Sequence, residues 1–185
     1  MSFNFVYYAV PFLRNTMRAM ENNKRYSVRG FVVQEGRILL QKLTDSNNNV
    51  FIDACGSFVG QTDNRMSTII KTIGNQIGIM PGSMDIEQVA TVRYLIHKTE
   101  SKNNQVETAV FLASLAGSVK HELSTPWRWY SYAEIPYDLM YPDLKLWLQR
   151  VLDGQLLDIS VEVNQANVYS RSIIVKNDIH EVVAF

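Results

Sequence analysis

The sequence predicts an α/β fold. Three observations carry that reading: runs of β-branched and aromatic residues punctuated by turn residues from Tyr26 onward, two segments with apolar residues at helical spacing, and a globular composition. Of 185 residues, 46% are hydrophobic and 19% charged, which sets the chain apart from disordered and fibrous sequences. Residues 1–25 read as an N-terminal extension, 26–154 as the main domain and 155–185 as a β-rich C-terminal extension.

The elements follow in order. In the extension, Phe3 to Phe12 is strand-like, with Pro11 confining it to a sheet edge, and Asn15 to Met20 adds a helical turn. Val28 to Val33 and Ile38 to Leu40 flank Gln34-Glu35-Gly36-Arg37 as a hairpin. Asp45 to Asn49 is a loop, and Phe51 to Cys55 is a short strand-like run. Met66, Ile69, Ile70, Ile73 and Ile77 recur at spacings of three and four, which predicts an amphipathic helix with Asp63 as N-cap and Gly78 as its left-handed terminator. After the Pro81-Gly82 turn, Gln88 to His97 and Val106 to Leu115 form a long antiparallel hairpin. In the aromatic strand Trp127 to Tyr132, alternation places Trp127 and Trp129 on one face and Arg128 on the other. Pro142 sits at the first position of a second helix carrying Leu144, Trp147, Leu148, Val151 and Leu152, with Gly154 beyond it. Leu157 to Val163, Val168 to Val175 and Glu181 to Phe185 read as strands.

Charge and rare residues exclude several functions. Eighteen Lys and Arg balance eighteen Asp and Glu, whereas a nucleic-acid footprint needs uncompensated basic residues. The single cysteine, Cys55, excludes an intramolecular disulfide framework and a Cys-rich zinc site, and His97, His121 and His180 are too dispersed for a paired-histidine metal motif. The apolar patch from Phe3 to Leu13 precedes the first basic residue, Arg14, the reverse of a signal peptide. No run reaches the roughly 18 apolar residues of a membrane span. A cytoplasmic protein without membrane contact is expected.

Val28-Arg29-Gly30-Phe31-Val32-Val33, the run Gly36 to Lys42, the helix ending at Gly78-Ile79, and Trp129 to Ile135 before a last helix stand in an order that resembles a Nudix hydrolase domain. The likeness spans Tyr26 to Gly154 and implies a Nudix-like α/β/α sandwich with a mixed sheet. The family signature is G-x5-E-x7-R-E-U-x-E-E-x-G-U, where U is a bulky aliphatic residue. Anchored on Gly78-Ile79, it places Ser57 at the glycine, Asp63 at the first glutamate, Lys71, Thr72 and Ile73 at R-E-U, and Asn75 and Gln76 at the paired glutamates. Asp63 and Lys71 keep the family's charge signs, a pair that the resemblance makes a structural tie between loop and helix.

The resemblance implies a reaction in which Mg2+ or Mn2+ sits on the substrate's diphosphate. Such hard cations require clustered anionic oxygens. Thr72, Asn75 and Gln76 supply no charge, so no metal or other cofactor is expected. The leading reading is a Nudix-like domain that has lost metal-dependent pyrophosphatase activity and binds a nucleotide-type ligand or a protein partner.

Two alternatives stay open. One is an active hydrolase of nucleoside diphosphate derivatives such as ADP-ribose, holding Mg2+ or Mn2+ with Asp63, Glu107 or Glu122, the last two also reading as ordinary solvated glutamates. The other is a structural or regulatory module whose terminal segments make oligomer contacts; a homodimer is the expected assembly. For a bound nucleotide, Arg29, Arg37 and Lys42 on the first hairpin are candidates for phosphate contact. Trp127, with Tyr26, Phe58 and Trp129, is a candidate stacking platform, with core packing the competing role. Cys55, where the family commonly has proline, reads as a buried thiol.

Overall fold

The computed structural model describes residues 24–45, 48–60, 62–79, 81–96, 104–116, 126–163 and 168–175. Along the chain run β1 (Lys24–Gln34), β2 (Arg37–Thr44), β3 (Val50–Asp53), β4 (Cys55–Val59), α1 (Arg65–Ile77), β5 (Met84–Ile96), β6 (Asn104–Leu115), β7 (Trp127–Ser131), α2 (Leu144–Leu152), β8 (Leu157–Val163) and β9 (Val168–Val175). The strands form one mixed sheet in the order β3-β2-β1-β6-β5-β8-β9, with β4 paired to β1 and β7 to β2.

Strand β1 is the branch point. Its C-terminal part pairs with β2 through Val32↔Leu39 and Gln34↔Arg37, across a turn in which Glu35 (φ 48°) and Gly36 (φ 71°) are both left-handed. Its N-terminal part pairs instead with β4, from Tyr26↔Val59 to Gly30↔Cys55. On its other side β6 runs parallel along nearly its whole length, from Lys24↔Gln105 to Val33↔Ser114. Within that ladder the buried hydroxyls of Ser27 and Thr108 share a hydrogen bond of 2.7 Å.

Alternation along β1 feeds two cores. Phe31 and Val33 point to the side covered by α2, packing with Ile38, Leu40, Val110, Trp147 and Leu148. Val28 and Val32 point to the side covered by α1, with Leu39, Ile69, Ile73 and Phe111. Trp147 meets the Phe31 ring edge-on, with centroids 6.1 Å apart. Gly30 lets α1 sit directly on the sheet, since a Cβ there would lie 2.7 Å from Ile69 Cδ1 and 3.1 Å from Cys55 Sγ.

Several boundaries differ from the sequence reading. The N-cap of α1 is Asn64, whose side chain accepts from Ser67 N at 3.0 Å. Asp63 accepts from Gly60 N instead and closes the preceding loop. The run Phe51 to Cys55 splits at Ala54, because β3 pairs with β2 while β4 pairs with β1. Strand β5 begins at Met84 rather than Gln88, its pairing with β6 interrupted by an irregularity between Gln88 and Ala90. Pro142 lies in a turn closed by Leu144 N donating to Tyr141 O, and α2 starts at Leu144.

In the tail, β8 adds parallel to β5 and β9 antiparallel to β8, so these strands widen the main sheet. The expected elements in Phe3 to Met20 and Glu181 to Phe185 lie outside the described residues. Among the described residues no helix is long and apolar enough to cross a membrane.

Candidate functional site

The segment that carries the signature positions is β4, its loop and α1. The loop is held by Asp63, whose Oδ2 accepts from Gly60 N at 3.0 Å. Ile69 and Ile73 bury the inner stripe of α1, and Gly78 (φ 82°) ends it, its N–H donating to Gly74 O. Lys71 is exposed on the helix. Among the described residues no ion pair joins it to Asp63, whose carboxylate is committed to the loop backbone; the expected charge tie is replaced by a local turn.

The signature's glutamate positions are occupied by neutral groups, two of which have partners within the chain. Thr72 is buried, its hydroxyl donating to Thr68 O at 2.8 Å. Asn75 is exposed. Gln76 reaches back across the loop, its Nε2 donating to Gly56 O at 3.2 Å. Its backbone carbonyl accepts from Trp127 Nε1 at 3.0 Å. Ser57 donates to Phe58 O at 3.1 Å.

This donor set does not fit a divalent cation. The groups at the signature's glutamate positions are a hydroxyl and amides, and Gln76 turns an N–H toward Gly56 O. Among the described residues no three Asp, Glu, His or Cys side chains come together. Glu107 on β6 lies beside the first turn of α1, with Oε1 2.6 Å from Arg65 Nη2 and Oε2 3.3 Å from Lys24 Nζ and 3.7 Å from Arg93 Nε. Burial pushes its carboxyl up, but hydrogen bonds from Arg65 and Lys24 outweigh that and hold it below the ordinary glutamate value. A metal at Glu107 would have to displace these cations. The ion cluster opens on a groove of about 250 Å³ lined by Lys24, Arg93, Gln105, Glu107, Ser160 and Glu162. Glu122 lies outside the described residues.

The four ligand-binding candidates do not converge. Arg29 lies on the α2 side, its Nη2 3.4 Å from Asp53 Oδ2 and its guanidinium 5.2 Å from the Tyr141 ring centroid. Arg37 is at the exposed hairpin tip, 3.6 Å from Glu35 and over the Trp129 ring. The Lys42 side chain is exposed, and its backbone N–H donates to Pro126 O. Trp127 is 8% exposed on the α1 side, and its indole pins β7 to the end of α1 rather than presenting a stacking face. Cys55 is fully buried, donates to Gly30 O at 3.0 Å, and has its thiol pushed up to about 12 by burial and by Asp53, away from the thiolate form.

Sequence reasoning missed the charged cluster around Arg29. Asp53 Oδ1 accepts from Ala54 N at 2.8 Å. Burial raises the Asp53 carboxyl, against the pull of Arg29. Asp143 Oδ2 accepts from Tyr94 Oη at 2.9 Å and from Trp147 Nε1 at 3.0 Å. Arg29 Nη1 is buried without a hydrogen-bond partner. The one sequence signal was local: Asp143 stands four residues before Trp147, one helical turn away.

Strand order, layers and helix placement are those of the Nudix hydrolase fold, and solved structures with that fold superpose on the chain. The mutator MutT protein of Bacillus halodurans aligns with a TM-score of 0.65 at 15% identity, over 80% of this chain and 97% of that one. A NUDIX hydrolase from Nitrosomonas europaea aligns at 0.53 and 14% identity, covering 78% and 81%. The Ap4A hydrolase of C. elegans aligns at 0.51 and 14%, covering 71% and 96%. No family model and no curated protein matches the sequence. The likeness is one of fold.

Proposed function

We propose that this chain is a Nudix-fold domain that has lost metal-dependent pyrophosphatase activity and binds a nucleotide-type ligand or a protein partner. The observation that carries the reading is the donor chemistry of α1. The positions that should gather anionic oxygens hold Thr72, Asn75 and Gln76, and Glu107, beside the first turn of α1, is committed to Arg65 and Lys24. A nucleotide ligand is supported by the fold shared with an Ap4A hydrolase. Homodimeric assembly and a cytoplasmic location belong to the same proposal.

The test is calorimetric titration of ADP-ribose into the purified chain with Mg2+, with Mn2+ and with EDTA, alongside a product assay on the same samples. Binding that is indifferent to the cation, without product, is expected. Metal-dependent turnover would overturn the proposal.

A further inference from the structure

We propose that the Gln76 side-chain amide does by hydrogen bonding what a bound cation does between two oxygens: it ties β4 at Gly56 to the last turn of α1, making that closure independent of metal. The inference rests on the reading of the α1 positions given above. Gly56 O is an acceptor, and a carboxylate oxygen in place of Gln76 Nε2 would set two acceptors against each other at about the same separation of 3.2 Å. Such a pair needs a proton or a cation between its members. The amide supplies N–H instead. Gln76 also stands in the final turn of α1, which has no basic residue, so a carboxylate there would additionally face the negative end of the helix.

Gln76 joins three elements at once. Its side chain reaches Gly56 of β4, and its backbone carbonyl receives Trp127 of β7. The tie therefore fixes β4 and the end of α1 to each other, beside the strand that Trp127 anchors.

The experiment compares melting temperatures of the wild type, Gln76→Glu, Gln76→Leu and Gln76→Lys in EDTA and in millimolar Mg2+ or Mn2+ at matched ionic strength. The wild type should melt at the same temperature in all three. Gln76→Leu should melt roughly 2–5 °C lower, with no recovery on adding cation. Gln76→Glu should melt at least as low in EDTA and stay low with either cation, because one carboxylate and one carbonyl do not make a hard-cation site. Gln76→Lys keeps an N–H donor and should stay within about 1 °C of the wild type.

Stabilisation of the wild type by either cation would overturn the proposal. So would a Gln76→Glu as stable as the wild type in EDTA, or a loss in Gln76→Lys as large as that in Gln76→Leu. If Gln76→Glu does not fold, the Leu and Lys pair still decides the matter. Turnover by the wild type would remove the pseudoenzyme reading, whereas a failed tie shows only in these melting curves.

Discussion

The two faces of the sheet treat polar groups in opposite ways. On the α1 side, the positions that the Nudix resemblance assigns to chemistry hold neutral groups, the buried Thr72 satisfied by Thr68 O, and Cys55 and Trp127 nearby likewise donate to backbone, at Gly30 O and Gln76 O. On the α2 side, the Arg29 guanidinium stands among Asp53, Asp143, Tyr94 and Tyr141. The contrast teaches that the packing stripe of a catalytic helix and its charges are separable. Ile69 and Ile73 seat α1 on β1 with neutral groups at the signature's carboxylate positions, because burial of apolar area needs no charge there.

The largest effect should come from breaking the charged face. Arg29→Met leaves Asp53 and Asp143 without their cation, and urea denaturation should show a loss of about 3–5 kcal/mol with an unchanged m-value. A loss below about 1 kcal/mol would mean that the carboxylates are solvated and the cluster is not interior.

Next comes the close approach at Gly30. Gly30→Ala drives a Cβ to 2.7 Å from Ile69 Cδ1, which should cost about 1–3 kcal/mol. Adding Ile69→Val shortens the side chain it meets, and the double variant should recover part of the loss. Strict additivity of the two changes would show that they do not meet.

The α1 terminus gives a smaller, ordered pair. Asn64→Ala should cost about 1 kcal/mol by removing the acceptor of Ser67 N, and Asp63→Ala less, because Asp63 serves the loop and not the helix. Equal losses would reinstate Asp63 as a capping residue.

The smallest effect separates the faces by the sign of their pH dependence. Glu107 is held below its ordinary value, so its contribution is present above the unfolded pKa and is lost as pH falls through the folded one. Asp53 is raised, so its contribution is present below the unfolded pKa and is lost as pH rises through the folded one. Glu107→Gln should therefore flatten the acid loss of stability, and Asp53→Asn should steepen it, each by less than about 1 kcal/mol. Urea midpoints taken from neutral to acid pH check this, and the same slope change in both variants would contradict it.

Local features of this fold were legible in the sequence. The spacing of Ile69, Ile73 and Ile77 and the glycine at 78 determine α1 and its end through contacts within a few residues. The Gly36 hairpin follows from the same short-range stereochemistry. The split between β3 and β4 was hidden, because Phe51 to Cys55 reads as one run and only the branching of β1 separates its halves. The α1 site was legible by residue type but not by orientation: periodicity places Gln76 on the helix and cannot tell whether its amide meets solvent or Gly56 O. The Arg29 cluster was invisible for another reason. Its members come from β1, β3, β5 and the turn before α2, brought together only by tertiary folding.

The Ser27–Thr108 hydroxyl pair has a consequence for how the chain reaches its native state. The two residues are 81 positions apart, and parallel strands cannot zip from a tight turn. On the ribosome, β1 must therefore wait for β6 for about 4–16 s at ordinary elongation rates. Its apolar residues spend that interval with only β2, β4 and α1 for shelter. A docking register wrong by one residue would bury Ser27 and Thr108 without each other and turn Phe31 and Val32 to the wrong faces. The hydroxyl pair thus acts as a proofreading mark on a long-range parallel closure, favouring the one alignment in which both groups find a partner.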